Sequence, residues 1–99
     1  MTGKWDIVVH TYMGDMTSHM DYKVDGEVLT GTGEDAANGA VAPIENGTFK
    51  DGEFSYQLTI KTAVGEMTNT LTGKVDGDTL TGKSKNAMGE FDVTGTRVG

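Results

Sequence analysis

The sequence predicts an all-β domain, an eight-stranded antiparallel up-and-down meander barrel built from two four-strand repeats. Three observations predict it. Fifteen glycines against one proline, with many threonines, mark a chain of short strands and tight turns. No window carries the i, i+3, i+4 apolar spacing of an amphipathic helix. The stretch GDMTSHMDYKVDGEVLTGT, Gly14 to Thr32, returns as GEMTNTLTGKVDGDTLTGK, Gly65 to Lys83, with ten of nineteen positions identical.

The turns divide the chain. Asp25-Gly26, Asn38-Gly39, Asn46-Gly47, Asp51-Gly52 and Asp76-Gly77 suit type I′ hairpins, where both central residues take positive φ. Gly14-Asp15 and Gly65-Glu66 suit type II′, with glycine first, and Met88-Gly89 closes the set. Between them lie strands at about 4–13, 16–24, 27–33, 39–45, 53–64, 67–75, 78–84 and 90–98.

A two-residue turn sets its flanking residues opposite each other on one face. With Trp5 inward, Ile7, Val9, Thr11 and Met13 are inward too. The Gly14-Asp15 turn then points Met16, Ser18, Met20, Tyr22 and Val24 inward, and the next turn adds Glu27, Leu29 and Gly31. In the second half the inward set is Phe54, Tyr56, Leu58, Ile60, Thr62 and Val64, then Met67, Asn69, Leu71 and Val75, then Asp78 and Leu80. The opposite faces are mostly polar. Strand four is the exception, because Pro43 and Asn46-Gly47 break the alternation with a bulge. One four-strand copy alone has two open edges and an exposed apolar face; two copies close both.

Ninety-nine residues make a single domain, 1–99, with repeat halves at about 1–50 and 51–99. The net charge of −7 argues against nucleic acid and anionic membranes as partners. There is no cysteine, hence no disulfide frame or thiolate chemistry. The N-terminus has no basic and apolar leader pattern, and no apolar run approaches the ~18 residues of a membrane span. The expected location is cytoplasmic.

Gly3-Lys4-Trp5 resembles the G-x-W at the start of strand one in lipocalin-like (calycin) barrels. That resemblance implies that a basic residue of the last strand packs across the tryptophan at the closed end, and Arg97, in TGTR, matches it here. The repeated MG, DGD-x-L-x-G and terminal GTR elements are also similar to small all-β domains of unestablished function, found alone or appended to bacterial hydrolases. The chain departs from true lipocalins in length and in its tight first turn.

If Trp5 marks the floor, the opposite end carries Met13, Met16, Val64, Met67 and Met88, with Met20 and Tyr56 further in. Methionine adapts to apolar guests. Thr11 and Thr62 are repeat mates just inside, as are Ser18 and Asn69. An apolar rim with a few convergent polar groups is the pattern of a small-molecule site at a barrel mouth. The favoured reading is non-catalytic binding of a small apolar or amphipathic ligand there. A second reading is a protein-interaction or accessory module, or a homodimer, that uses the same end. A third is a small lyase or isomerase in which Tyr56 or Asn69 polarises a carbonyl. No nucleophile elbow, phosphate loop or calcium ladder occurs, and no cofactor is expected. His10 and His19 fall opposite each other across the Gly14-Asp15 turn, on the outer face, and are candidate metal ligands.

Overall fold

The computed structural model describes residues 1–12, 14–36, 39–62, 65–87 and 89–99, and of 60–62 the backbone alone. The strands are β1 Gly3–Thr11, β2 Gly14–Asp25, β3 Val28–Asp35, β4 Val41–Pro43, β5 Glu45–Lys50, β6 Glu53–Thr62, β7 Gly65–Asp76, β8 Thr79–Asn86 and β9 Gly89–Arg97. All pairings are antiparallel between neighbours, and β9 returns to β1, so the sheet closes as an up-and-down barrel. β4 and β5 lie in succession along the same edge of β3 and complete the eighth wall position. Among the described residues there is no helix, so none is long and apolar enough to cross a membrane.

The strands form where β-branched and aromatic residues alternate with polar ones, because each wall has one face in the core and one in water. Trp5, Ile7, Met20, Tyr22, Leu29, Phe54, Tyr56, Leu71, Leu80 and Val93 make the buried core, and the first nine are residues that the turn-parity rule points inward.

Several turns sit elsewhere than the sequence reading placed them. The first ladder ends at Thr11↔Gly14, so Gly14 and Asp15 belong to the returning strand and are not the turn. Thr62↔Gly65 and Asn86↔Gly89 repeat the arrangement, displacing the Gly65-Glu66 and Met88-Gly89 turns. In all three, glycine is the first residue of the returning strand, with φ of 119°, 125° and 131°. The next loops are Gly26-Glu27 and Gly77-Asp78, between Asp25↔Val28 and Asp76↔Thr79. There glycine alone takes positive φ, in the first loop position as type II′ requires, and the flanking aspartate stays in the strand. Among the described residues only Asp51-Gly52 has positive φ at both positions, as type I′ requires, and the Asn38 of the Asn38-Gly39 turn lies outside the described residues.

The first hairpin is displaced by two residues along each strand. An even shift leaves every side chain on its expected face. It does change who faces whom: His10 lies opposite Asp15, and His19 opposite Asp6. The expected direct pairing of the two histidines is therefore replaced by two separate histidine–aspartate contacts. The strand expected at 39–45 is two pieces, with a register shift between Glu45 and Thr48 and Asn46 at φ 52°. This is the expected bulge, but the chain continues as β5 through a segment read as a turn.

The repeat is carried into the registers. Trp5↔Met20 becomes Tyr56↔Leu71, and Val24↔Leu29 becomes Val75↔Leu80. One level breaks the symmetry by compensation. The first half pairs Gly3 with Tyr22; the second pairs Phe54 with Gly73. Each half thus brings one large ring to that level, from opposite strands of its hairpin.

These rings fill the floor half. Trp5 meets Tyr22 edge-on at 6.5 Å, Tyr22 lies 5.6 Å from Tyr56, and Phe54 stacks on Tyr56 at 5.8 Å. The Trp5 indole N–H donates to the Met1 carbonyl at 2.9 Å. The Tyr22 and Tyr56 hydroxyls bond each other at 2.6 Å. Removing one hydroxyl strands the other, whereas removing both leaves an apolar contact of the same shape. Tyr22→Phe or Tyr56→Phe is therefore expected to cost ~1–3 kcal/mol, and the double variant less than the sum, by denaturant unfolding. Burial raises both phenols above their ordinary pKa, and at Tyr22 the neighbouring Tyr56 raises it further. The neutral pair favours folding below the unfolded-state value near 10, and that contribution falls as pH rises above it. The double variant is expected to lose less stability between pH 9 and pH 11.

Candidate functional site

The strand directions define two ends. β1, β3, β6 and β8 run from the floor to the mouth, and β2, β7 and β9 return. Above the aromatic floor is a middle level of Ile7, Met20, Leu71, Val93 and Ser84, all nearly inaccessible. Met20 is 2 % exposed and Tyr56 1 %. Both were read as ligand-contacting residues, and both belong to the closed interior beneath the mouth.

The next inward step is different. Ser18 and Asn69, repeat mates, are half-buried at this level; one inward step nearer the rim their neighbours are Met67, half-buried, and its mate Met16, 52 % exposed. Thr11 is half-buried too, but its hydroxyl donates to the Gly14 carbonyl at 2.5 Å, so it braces its own hairpin. Met13, Val64 and Met88 lie outside the described residues, as does the Thr62 side chain.

Three further residues reach this level. Asp35 lies opposite Ser18 and shares the inward face of Gly33, whose neighbour is Met20. Asn86 donates its side-chain amide to the Asn69 carbonyl oxygen at 2.7 Å. Phe91 lies opposite the buried Ser84 and meets the exposed Tyr12 ring at 6.0 Å. The repeat contained the signal for the first two: Asp35 and Asn86 are mates, as are Ser18 and Asn69. Strand three extends two residues past the expected end at 33, and that extension turns Asp35 inward.

The histidines stay on the outer face. His10 Nδ1 lies 3.0 Å from Asp15, and its Nε2 lies 2.9 Å from Thr94. Asp92 is its register partner on β9. Lys83 bonds Asp92; that contact holds the Asp92 carboxyl below the usual carboxylate range and raises the Lys83 ammonium. His19 Nδ1 lies 2.7 Å from Asp6, four residues from His10 along β1. The two imidazoles are thus separated by roughly 13 Å of strand, too far for one metal ion. Among the described residues no group of three or more histidine, cysteine or acidic side chains is placed to hold a metal.

At the floor, Arg97 sits opposite Trp5, and its guanidinium lies against Gly3 and 4.0 Å from Asp78. Two shallow depressions lie on the outside of the wall, one around Ser55, Thr72 and Lys74, the other around Asp6, His19 and Glu34. Both are open to solvent.

Comparison with protein-family models, with curated proteins and with solved structures finds no match.

Proposed function

We propose that the protein binds a small amphipathic molecule, without catalysis, at the barrel mouth. One observation supports this most: half-buried polar side chains face inward directly above a closed apolar layer. Ser18 and Asn69 sit one inward step from Met20 and Leu71, which are 2 % and 4 % exposed. A guest at this level rests its apolar part on Met16, Met67 and Phe91 and its polar part on the hydroxyl and amide groups. The filled floor favours a shallow seat at the mouth over a deep carrier pocket. The closed barrel, the Gly3-Lys4-Trp5 start and Arg97 opposite Trp5 support kinship with lipocalin-like barrels. Tyr56, sealed below and held protonated by burial, offers no support for the lyase reading.

The test is an amide NMR titration with octanol. Shifts are expected at Ser18, Met67 and Asn69, and Asn69→Leu is expected to alter the affinity. No shift at the mouth up to the solubility limit overturns the reading. A second reading has its own support, since Tyr12 and Met16, both at the mouth end, are 73 % and 52 % exposed. If the mouth docks a partner protein or a second copy, Met16→Asp removes concentration-dependent association in sedimentation. A monomer at all concentrations rules out the second copy.

A further inference from the structure

We infer that Thr94, His10 and Asp15 form a nucleophile, base and orienting carboxylate on the outer wall, and that this triad hydrolyses small activated esters through an acyl-threonine. The inference concerns a different face from the mouth and goes beyond the binding reading.

It follows from what one imidazole touches. His10 lies on β1, with Asp15 opposite on β2 and Asp92 opposite on β9. Its Nδ1 lies 3.0 Å from Asp15 Oδ1, and its Nε2 lies 2.9 Å from Thr94 Oγ1. An ionised carboxylate only accepts hydrogen bonds, so Nδ1 carries the proton. In the neutral ring Nε2 is then an acceptor, and the Thr94 hydroxyl donates to it. This is the order of contacts by which a histidine activates a hydroxyl: the carboxylate fixes the tautomer, and the other nitrogen faces the O–H. His10, Asp15 and Thr94 are all exposed, so a substrate reaches the hydroxyl directly. The barrel itself does not require the pair of His10 and Asp15, since the second half carries Lys61 and Glu66 at those positions.

In the reaction His10 Nε2 takes the Thr94 proton as Oγ bonds the ester carbonyl carbon. The bond from that carbon to the leaving oxygen then breaks, and the imidazolium returns the proton to the departing alcohol, leaving acyl-Thr94. A water activated by the same nitrogen releases the acid and restores the hydroxyl. Lys83, on β8 and bonded to Asp92, is by register the nearest described ammonium to the charge that develops at the carbonyl oxygen. Thr94 is paired with Val8 on one side and Thr81 on the other, so its backbone is taken up by the ladders and builds no oxyanion hole. The class is therefore esters with a good leaving group. Tyr12 and Phe91, whose rings meet at 6.0 Å, lie within two residues of His10 and Asp92 along the chain and offer an aryl leaving group an apolar surface.

The experiment follows hydrolysis of 4-nitrophenyl acetate together with peptide mass mapping of the quenched protein. The unaltered chain is expected to release nitrophenol at least about tenfold faster than Thr94→Val and to carry an acetyl group on Thr94. His10→Gln is expected to lose both the rate and the label. His19→Gln is the control: His19 Nδ1 lies against Asp6, but among the described residues no hydroxyl bonds its Nε2, and the rate is expected to stay unchanged. Asp15 acts through His10 as a positioning residue. Asp15→Asn is expected to slow acylation by about tenfold or more and to move the His10 ring-nitrogen resonances away from the Nδ1–H tautomer, which a merely structural role leaves in place. Acetyl on a lysine or the N-terminus but not on Thr94, an equal rate in Thr94→Val, an equal loss in His19→Gln, or an unmoved tautomer in Asp15→Asn each overturns the inference. The position of the label on the unaltered chain decides the case in which a variant fails to fold. None of these outcomes bears on octanol binding at the mouth, which stands or falls by its own titration.

Discussion

Trp5→Ala is expected to lose ~3–5 kcal/mol of stability. The indole is fully buried and closes the floor of the barrel. It meets Tyr22 edge-on, and its N–H holds the Met1 carbonyl, which draws the N-terminus across the end. Truncation removes the ring's burial, opens a cavity beside Tyr22 and frees that carbonyl together. A domain of this size has ~5–15 kcal/mol in all, and each kcal/mol moves the midpoint by ~4–8 °C, so a fall of at least about 12 °C is expected. Arg97→Met is expected to cost under about 1 kcal/mol, because the guanidinium is 42 % exposed and its ion pair with Asp78 is long. Thermal unfolding of both variants checks this. A loss at Arg97 as large as that at Trp5 would mean that the arginine, not the indole, holds the floor.

The faces of this fold are legible in the sequence and the turns less so, for one physical reason. Alternation has period two, so a hairpin misplaced by two residues on each strand still sorts Ile7, Met20, Tyr22 and Leu29 inward. Gly14 reads as a turn residue because its φ is positive, yet it serves as the first residue of β2. Glycine composition marks that a tight connection is near without fixing which residue is central. The exterior suffers most from that displacement, since contacts such as His10 with Asp15 depend on register and not on parity. Asp35 was missed for a related reason: a glycine-rich strand, Gly31 to Gly33, looks finished before it is. Gly31 is nonetheless a strand residue, and a Cβ there would collide with the Asp21 carbonyl oxygen.

Phe54→Gly and Gly73→Tyr are each expected to destabilise the barrel, and together less than their sum. The second half places its ring on β6 and leaves Gly73 bare opposite it; the first half places Tyr22 on β2 and leaves Gly3 bare. The double variant therefore rebuilds the first-half solution inside the second half. Phe54→Gly alone empties a ring-sized space in a core residue 3 % exposed, and is expected to cost ~4–5 kcal/mol. Gly73→Tyr alone collides with that ring, since a Cβ there lies 2.9 Å from Phe54 Cε1, and it also crowds the β8 backbone at the Thr81 carbonyl oxygen and at Gly82 Cα, 2.7 Å away, so ~2–3 kcal/mol of overpacking is expected. With Phe54 removed the new ring has the vacated volume to enter. The remaining conflict is with the β8 backbone, at the Thr81 carbonyl oxygen and Gly82, whose mate Gly31 lies opposite Tyr22 in the first half. A coupling of at least about 1 kcal/mol in a denaturant double-mutant cycle is the expected result. Strict additivity would show that the level is held by its backbone crossing at Gly73 and Gly82 and not by the volume of one shared ring.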